Sequence, residues 1–393
     1  MTEENKSVKN FPNLRFKGFE GAWEVKKMGE IADIKTGNKD TQNKVDNGMY
    51  PFFVRSNTVE KINTYSYDGE AILTSGDGVG VGKNFHYVKG KFDFHQRVYS
   101  IRNFKKGYDG KYVYNIFSEK FYDRVIRLSA KNSVDSVRMN MISEMKISFP
   151  MFNEQLKIAS FLTMIRDRIQ TQKKIIEDLV ILKSNTAQNI FNQVFKFKDS
   201  EGNDFRNWQI KKLGDVCEIK RGASPRPISD SKWFDDDSKI GWVRISDVTK
   251  SDKYLEKTEQ YLSNAGISKS RLVKKGNMIM SICATIGKPI YTNFDVCIHD
   301  GFVVFENLTL DKEFLYYYLD FIQLNWYKYG QPGIQVNLNS EIVNNESVVV
   351  PVIEEQIKIA EFLSKFDEKI KLENELLTQY ENQKKYLLQN LFV

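Results

Sequence analysis

The chain has 393 residues, of which 41% are hydrophobic and 28% charged, with a formal net charge of +7. That length allows two domains with cores of their own. No apolar run reaches the roughly 18 residues of a membrane-spanning helix, and Cys217, Cys283 and Cys297 form neither a disulfide framework nor a zinc-site spacing.

The opening, MTEENKSVKNFPNL, has no apolar signal region, so the expected location is cytoplasmic with no membrane association. The charge is unevenly placed. Residues 1–150 carry 25 Lys+Arg against 18 Asp+Glu, and residues 151–393 carry 33 of each. A basic first part suits a polyanion, although charge alone raises nucleic acid only modestly.

In chain order, the first recognisable stretch is WEVKKMGEIADIKTG, Trp23–Gly37, which returns as WQIKKLGDVCEIKRG, Trp208–Gly222, with seven of 15 residues identical. Residues 38–81 and 223–286 follow these openings and differ in length and content. Short runs bounded by Gly, Asp and Asn read as strands at Ala71–Leu73, Val98–Ile101, Met278–Ile282 and Phe302–Phe305. Helical segments are expected near Lys111–Phe121 and Lys312–Ile322. His95 and His299 occupy matching positions 204 residues apart.

Each half then closes on a helix. PMFNEQLKIASFLTMIRDRI, Pro150–Ile169, returns 201 residues later as PVIEEQIKIAEFLSKFDEKI, Pro351–Ile370, with nine of 20 positions identical. A 3.5-residue apolar rhythm marks a coiled-coil seam. In the first copy it runs through Ile158, Leu162, Ile165, Ile169, Gln172, Ile176, Leu179, Lys183, Thr186 and Ile190. In the second it runs through Ile359, Leu363, Phe366, Ile370, Glu373, Leu377, Tyr380, Lys384, Leu387 and Leu391. Gln172/Glu373 and Lys183/Lys384 interrupt both seams at the same places, as buried register-fixing positions or as a wet edge. At about 1.5 Å per residue the first helix makes a rod of roughly 50 Å, longer than one turn of B-DNA.

The expected fold class is α+β (mixed α/β): two tandem domains separated by two long antiparallel coiled-coil helices, in a pseudo-two-fold internal repeat. The divisions are 1–150, a first domain with its framework segment; 151–195, a central helix; 196–350, a second domain with its framework; and 351–393, a distal helix.

The doubled W-x-x-K-K-[LM]-G-[ED] opening and doubled P-x-x-x-E-Q-x-K-I-A-x-F-L closing resemble the specificity (S) subunits of type I restriction–modification systems, over essentially the whole chain. The resemblance implies two target-recognition domains, each reading one half of a split, asymmetric double-stranded DNA site, with the helices setting the unread spacer. It implies two modification (methyltransferase) subunits docked on the helices and frame, and restriction (translocase/nuclease) subunits joined through the complex. No cofactor is expected on this chain; S-adenosylmethionine, ATP and Mg²⁺ are implied on the partner subunits. The N-terminal opening is also implied to pack near the C-terminal helix.

A non-catalytic role agrees with the motifs. The glycine run Ser75–Lys83 has Asp77 where a Walker loop needs its first Gly and Asn84 in place of Ser/Thr, and it fails the dinucleotide pattern. It reads either as a turn approaching a DNA phosphate or as a plain structural loop. E-x-K at Glu144–Lys146 has no nuclease partner motif, and an adenine-methyltransferase signature is absent. Scattered His86, His95 and His299 read by default as structural, and no metal site is expected.

Base edges are read in the major groove by Arg, Asn, Gln, Ser and Asp side chains, and phosphates mainly by Lys and Arg. The DNA-binding candidates in the first half are Arg55, Ser56 and Asn57, which follow the apolar run Tyr50–Val54, with Lys83 and with His95, Gln96 and Arg97. In the second half they are Arg221, Arg226, Arg244, Ser246, Asp247 and Lys288. Candidates for subunit docking, taken as the exposed part of each repeated motif, are Glu154, Gln155, Lys157 and Phe161 with Glu355, Gln356, Lys358 and Phe362. Capping and packing of each helix start on its own domain is the competing reading. Two other functions stay open: a tandem-repeat DNA-binding or coiled-coil assembly protein acting without restriction partners, and a self-sufficient fused restriction–methylation enzyme.

Overall fold

The computed structural model describes residues 11–78, 80–129, 136–329 and 338–392. The opening decapeptide read above, and Val79 within the glycine run, lie outside the described residues. The chain forms two compact units, residues 1–174 with 375–393, and residues 175–374. Among the described residues, no helix is long and apolar enough to cross a membrane.

In the first unit, six strands form one sheet in the order Asp33–Thr36, Val98–Arg102, Tyr67–Ser75, Phe85–Phe94, Tyr50–Phe53 and Val59–Ile62. The central strand Tyr67–Ser75 is buried over its last five residues, because it is paired on both edges and covered by a helix. That helix, Gly110–Leu128, begins where the Asp109 carboxylate accepts the Tyr112 N–H at 2.7 Å, satisfying a first-turn donor. Tyr112, Val113, Ile116, Phe117 and Phe121 recur at helical spacing and bury one face in a core shared with Ile72 and Ile101.

The second unit repeats the frame. Its first sheet runs Glu218–Arg221, Phe302–Glu306, Met278–Ser281, Pro289–Thr292 and Tyr254–Leu255. Its divergent middle adds a four-stranded sheet: Gln260–Tyr261, Gly241–Val243, Val296–Ile298 and Arg271–Val273. Strand register recurs with the sequence repeat. Asp33 faces Arg102 and Glu218 faces Glu306, while Glu24 faces Phe149 and Gln209 faces Val350. Asp311 caps the helix Lys312–Phe321 through the Phe314 N–H at 2.9 Å, as Asp109 does in the first unit.

The long helices span Phe152–Phe191 and Ile353–Asn390. Each follows a strand ended by proline, Pro150 or Pro351, which cannot donate to a further ladder bond. In the first unit, Ile158, Leu162 and Ile165 share a core with Leu387, Leu388, Leu391 and Phe392, and Leu14 N–H donates to Asn390 O at 2.9 Å. The opening segment and the C-terminal helix therefore meet, as the resemblance implied. Arg168 Nε also donates to Tyr380 Oη at 3.0 Å, and Lys173 lies 3.0 Å from Glu381.

In the second unit, Ile190 and Phe191 share a core with Ile359, Ala360 and Leu363. Lys183 Nζ lies 2.6 Å from Asp367 Oδ1, and Tyr317 Oη donates to Asp367 Oδ2 at 2.5 Å. Of the polar interruptions, Gln172 and Glu373 are buried and Lys183 is half-buried in its ion pair. None of these three lies at a wet edge.

Candidate nucleic-acid interface

The candidate surface in each unit grows from one repeated turn. In the first, Val98 N–H closes the turn on His95 O at 2.9 Å, and His95 Nδ1 accepts the Arg97 N–H at 2.9 Å. In the second, Phe302 N–H closes on His299 O at 3.0 Å, and His299 Nδ1 accepts the Gly301 N–H at 2.9 Å. Gly37 and Gly222 pack against the carbonyls of Phe94–His95 and Ile298–His299, where a methyl group would overlap an oxygen. Burial pushes both imidazoles below their ordinary pKa. Each is therefore neutral at pH 7, and because Nδ1 accepts, the proton sits on Nε2.

Around the first turn, the structure gathers several candidates. Strand Tyr50–Phe53 delivers Arg55, Ser56 and Asn57 to an exposed segment. Ser75 Oγ and Asn84 Nδ2 donate to Arg55 O at 3.0 and 2.8 Å, so residues bordering the glycine run clamp this segment. Asp77 then gathers two arginines, with Arg55 Nη1 at 3.4 Å and Arg97 Nε at 3.7 Å. Gln96 Nε2 donates to Asp40 at 3.1 Å. Arg97 is 67% exposed, and Lys83 is exposed with its ammonium over the Tyr122 ring. His95 is buried, which removes it from the surface, so it is not a base reader as expected from sequence.

Around the second turn lies a cleft of about 550 Å³, lined by Ser224, Arg226, Trp242, Arg244, His299 and Asp300 among others. Arg226 is 83% exposed, 3.9 Å from Asp300. Arg244 is half-buried, and its Nε donates to Gln260 Oε1 at 2.9 Å. Arg221 Nε donates to Asp300 O at 2.7 Å, and Ser246 is exposed.

Two expectations fail here. Asp247 is buried, and its carboxylate accepts the Arg244 and Glu259 N–H groups at 2.8 and 3.3 Å, capping the short helix Ile245–Lys250. Lys288 donates from Nζ to Ser251 O at 2.5 Å, and burial pushes its ammonium down, so it is no free phosphate ligand. Asp77, Asp40, Gln260 and Trp242 escaped the sequence reading. Asp77, inside the glycine run, and Trp242, two residues before Arg244, stood in stretches that had drawn notice.

The repeated E-Q pair is also corrected. Glu154, Gln155, Glu355 and Gln356 are buried, so they are not an exposed docking patch. Gln155 accepts the Asp109 N–H at 3.0 Å and donates to Gly107 O and Pro150 O; Gln356 accepts the Asp311 N–H at 2.8 Å and donates to Pro351 O. Each amide thus ties a strand end, a helix start and a capping residue together. Glu154 pairs with Arg15 at 2.7 Å, whereas Glu355 accepts the Trp208 indole N–H at 2.9 Å.

The remaining motif residues follow the same pattern. Phe161 packs edge-on against Phe16, and Phe362 stacks on Phe195. Lys157 is exposed near the Phe16 ring, and Lys358 donates to Lys198 O at 2.6 Å. These contacts pack each helix start on its own unit.

Residues 20–180 and 206–382 match the family model described as the type I restriction modification DNA specificity domain. Among curated relatives, the chain is 23% identical to the putative type I restriction enzyme MjaX specificity subunit of Methanocaldococcus jannaschii, over 98% of this chain and 87% of that one. It is 25% identical to the MjaVIII specificity subunit of the same organism, over 93% and 91%. The fold resembles the S subunit of a type I system from M. genitalium, with a TM-score of 0.61 at 16% identity over 98% and 99% of the chains. It also resembles a chain from a structure of type I R-M complex assembly, with a TM-score of 0.62 at 15% identity over 96% and 98%. With two matches that together span most of its length, the chain belongs to the type I restriction–modification DNA specificity family.

Proposed function

We propose that this chain is the DNA-reading, non-catalytic specificity subunit of a type I restriction–modification complex, with each unit reading one half of a split asymmetric site. The observation that carries this is a frame repeated down to strand register, which holds two unlike middles. One frame presenting different surfaces suits two readers of different sequences. The readers in the first unit are Arg55, Ser56, Asn57, Gln96 and Arg97, with Lys83 on phosphate. Those in the second are Arg244 and Ser246, with Arg226 on phosphate and Arg221 behind them. Mapping methylated adenines or cytosines in a strain carrying the intact system is expected to give one split motif with a fixed gap. A continuous palindrome would overturn the reading.

The helices act as an antiparallel spacer in this account. Support comes from contacts that run in opposite chain sense within each unit, Ile158 region with Leu391 region and Lys183 with Asp367. Their lengths, 40 and 38 residues, correspond to about 60 Å of helix each.

Docking of two methyltransferase subunits falls on residues other than the buried E-Q pair. Phe152 and Leu156 are exposed at i and i+4 on the central helix, and Ile353 and Ile357 are exposed at the same places on the distal one. Val25 and Ile210 are likewise exposed on the matching framework strands. A solvent-facing apolar group kept in both copies serves neither core, and suits a partner bound twice. Leu156→Asp with Ile357→Asp is expected to weaken methyltransferase co-purification by about 2 kcal/mol per site or more, as loss of a hot spot does, with DNA contacts untouched. Unchanged stoichiometry would sink this assignment.

A further inference from the structure

We infer that the cleft of the second unit reads a guanine through Arg244, and that the half-site recognised by this unit therefore contains a G·C pair at a fixed position. The inference rests on the reading of this unit as a DNA reader and adds the base. Arg244 extends from the end of strand Gly241–Val243, where the Asp247 carboxylate holds its backbone N–H at 2.8 Å and Gln260 holds its Nε at 2.9 Å. One tether fixes the backbone and the other the Nε edge of the guanidinium, while its terminal nitrogens carry no hydrogen bond to any described residue. No carboxylate lies within salt-bridge distance of it among the described residues; its one side-chain partner, Gln260, is neutral. The ionic hydrogen-bonding capacity of this arginine is therefore oriented and unspent.

The surroundings favour an acceptor-rich ligand. Trp242 is a buried wall of the cleft, and its indole N–H finds no partner among the described residues. His299 lies 5.8 Å from Trp242 ring to ring, and with Nδ1 occupied by the Gly301 N–H it carries its proton on Nε2. Asp300 is turned to Ser224 Oγ at 2.8 Å, which engages the nearby acceptor. In the major groove, guanine is the base that shows two acceptors, O6 and N7, and an arginine fork matches that pair bidentately. Arg226, at the rim and 83% exposed, is placed to meet a phosphate. In the first unit the corresponding arginines Arg55 and Arg97 share Asp77, so the two units do not present the same code.

The test uses the full chain in its reconstituted complex, with methylation measured on a library randomised across both half-sites. The wild-type complex is expected to require guanine at one position of one half-site. Arg244→Ala and Arg244→Lys, the latter keeping charge without the fork, are each expected to lower discrimination at that position roughly ten- to hundred-fold. Every position of the other half-site should stay unchanged. Arg226→Ala is expected to weaken methylation evenly across sequences and to reduce its salt dependence. Gln260→Ala, which frees the guanidinium, is expected to loosen the same position as Arg244→Lys. A wild-type motif without G·C in either half, or an Arg244→Lys complex with the wild-type preference at every position, would overturn the inference while leaving a split motif, and hence the two-reader function, standing. A wild-type motif that is not split would overturn the two-reader function itself.

Discussion

An imidazole that accepts a backbone N–H through Nδ1 can do so only while neutral, and two of this chain's contacts, at His95 and His299, depend on that state. Burial holds His86, His95 and His299 below the ordinary histidine value. Between the unfolded value near 6.5 and the lower folded value, the unfolded chain binds protons that the folded turns refuse. The stability these groups support is therefore present above about pH 6.5 and declines as pH falls through that window. Urea midpoints are expected to be lower at pH 5.5 than at pH 7.5, with the difference reduced in His95→Asn/His299→Asn, where the amide oxygen can still accept. An identical pH dependence in that variant would assign the effect elsewhere.

The residue scale is also where the sequence misled. Charge and motif identity made Glu154, Gln155, Asp247 and Lys288 look available, yet each is consumed by a backbone group or a partner brought from far along the chain. Nothing local to the E-Q pair marks Asp109 or Arg15 as its partner, because those partners are set by tertiary packing.

At the scale of elements, the long helices were the most legible part. Their 3.5-residue rhythm falls on buried side chains near the helix ends, among them Ile158, Leu162, Ile190, Ile359, Leu363 and Leu391, whereas Ile169, Ile176, Leu179, Phe366, Ile370 and Leu377 toward mid-helix are only half-buried. The runs Val98–Ile101 and Phe302–Phe305, read from flanking Gly, Asp and Asn, fall one residue short of the strands Val98–Arg102 and Phe302–Glu306. The four-stranded sheet of the second unit was not, since strands such as Gln260–Tyr261 have two residues and no periodicity to detect. If the helices space the two readers, seven residues inserted after Lys174 and seven after Asn374 would lengthen the rod by about 10 Å, roughly three base pairs at 3.4 Å each. The expected outcome is a methylation motif with both half-sites kept and a longer gap. Altered half-sites with the old gap would refute the spacer.

At the scale of the molecule, the repeat offsets showed two frames around two variable middles, and the structure gives that statement physical content in two units. It adds what a linear division could not express: each unit draws on both long helices, the first through Leu387–Phe392 and the second through Ile190 and Phe191. The target bases themselves lie outside what sequence periodicity encodes, because they depend on a few oriented side chains. If each unit reads one half-site independently of the other, replacing residues 223–298 with the matching segment of a related specificity subunit and mapping the methylated motif should change one half-motif, with the other half and the gap retained. A change in both halves, or in the gap alone, would contradict it.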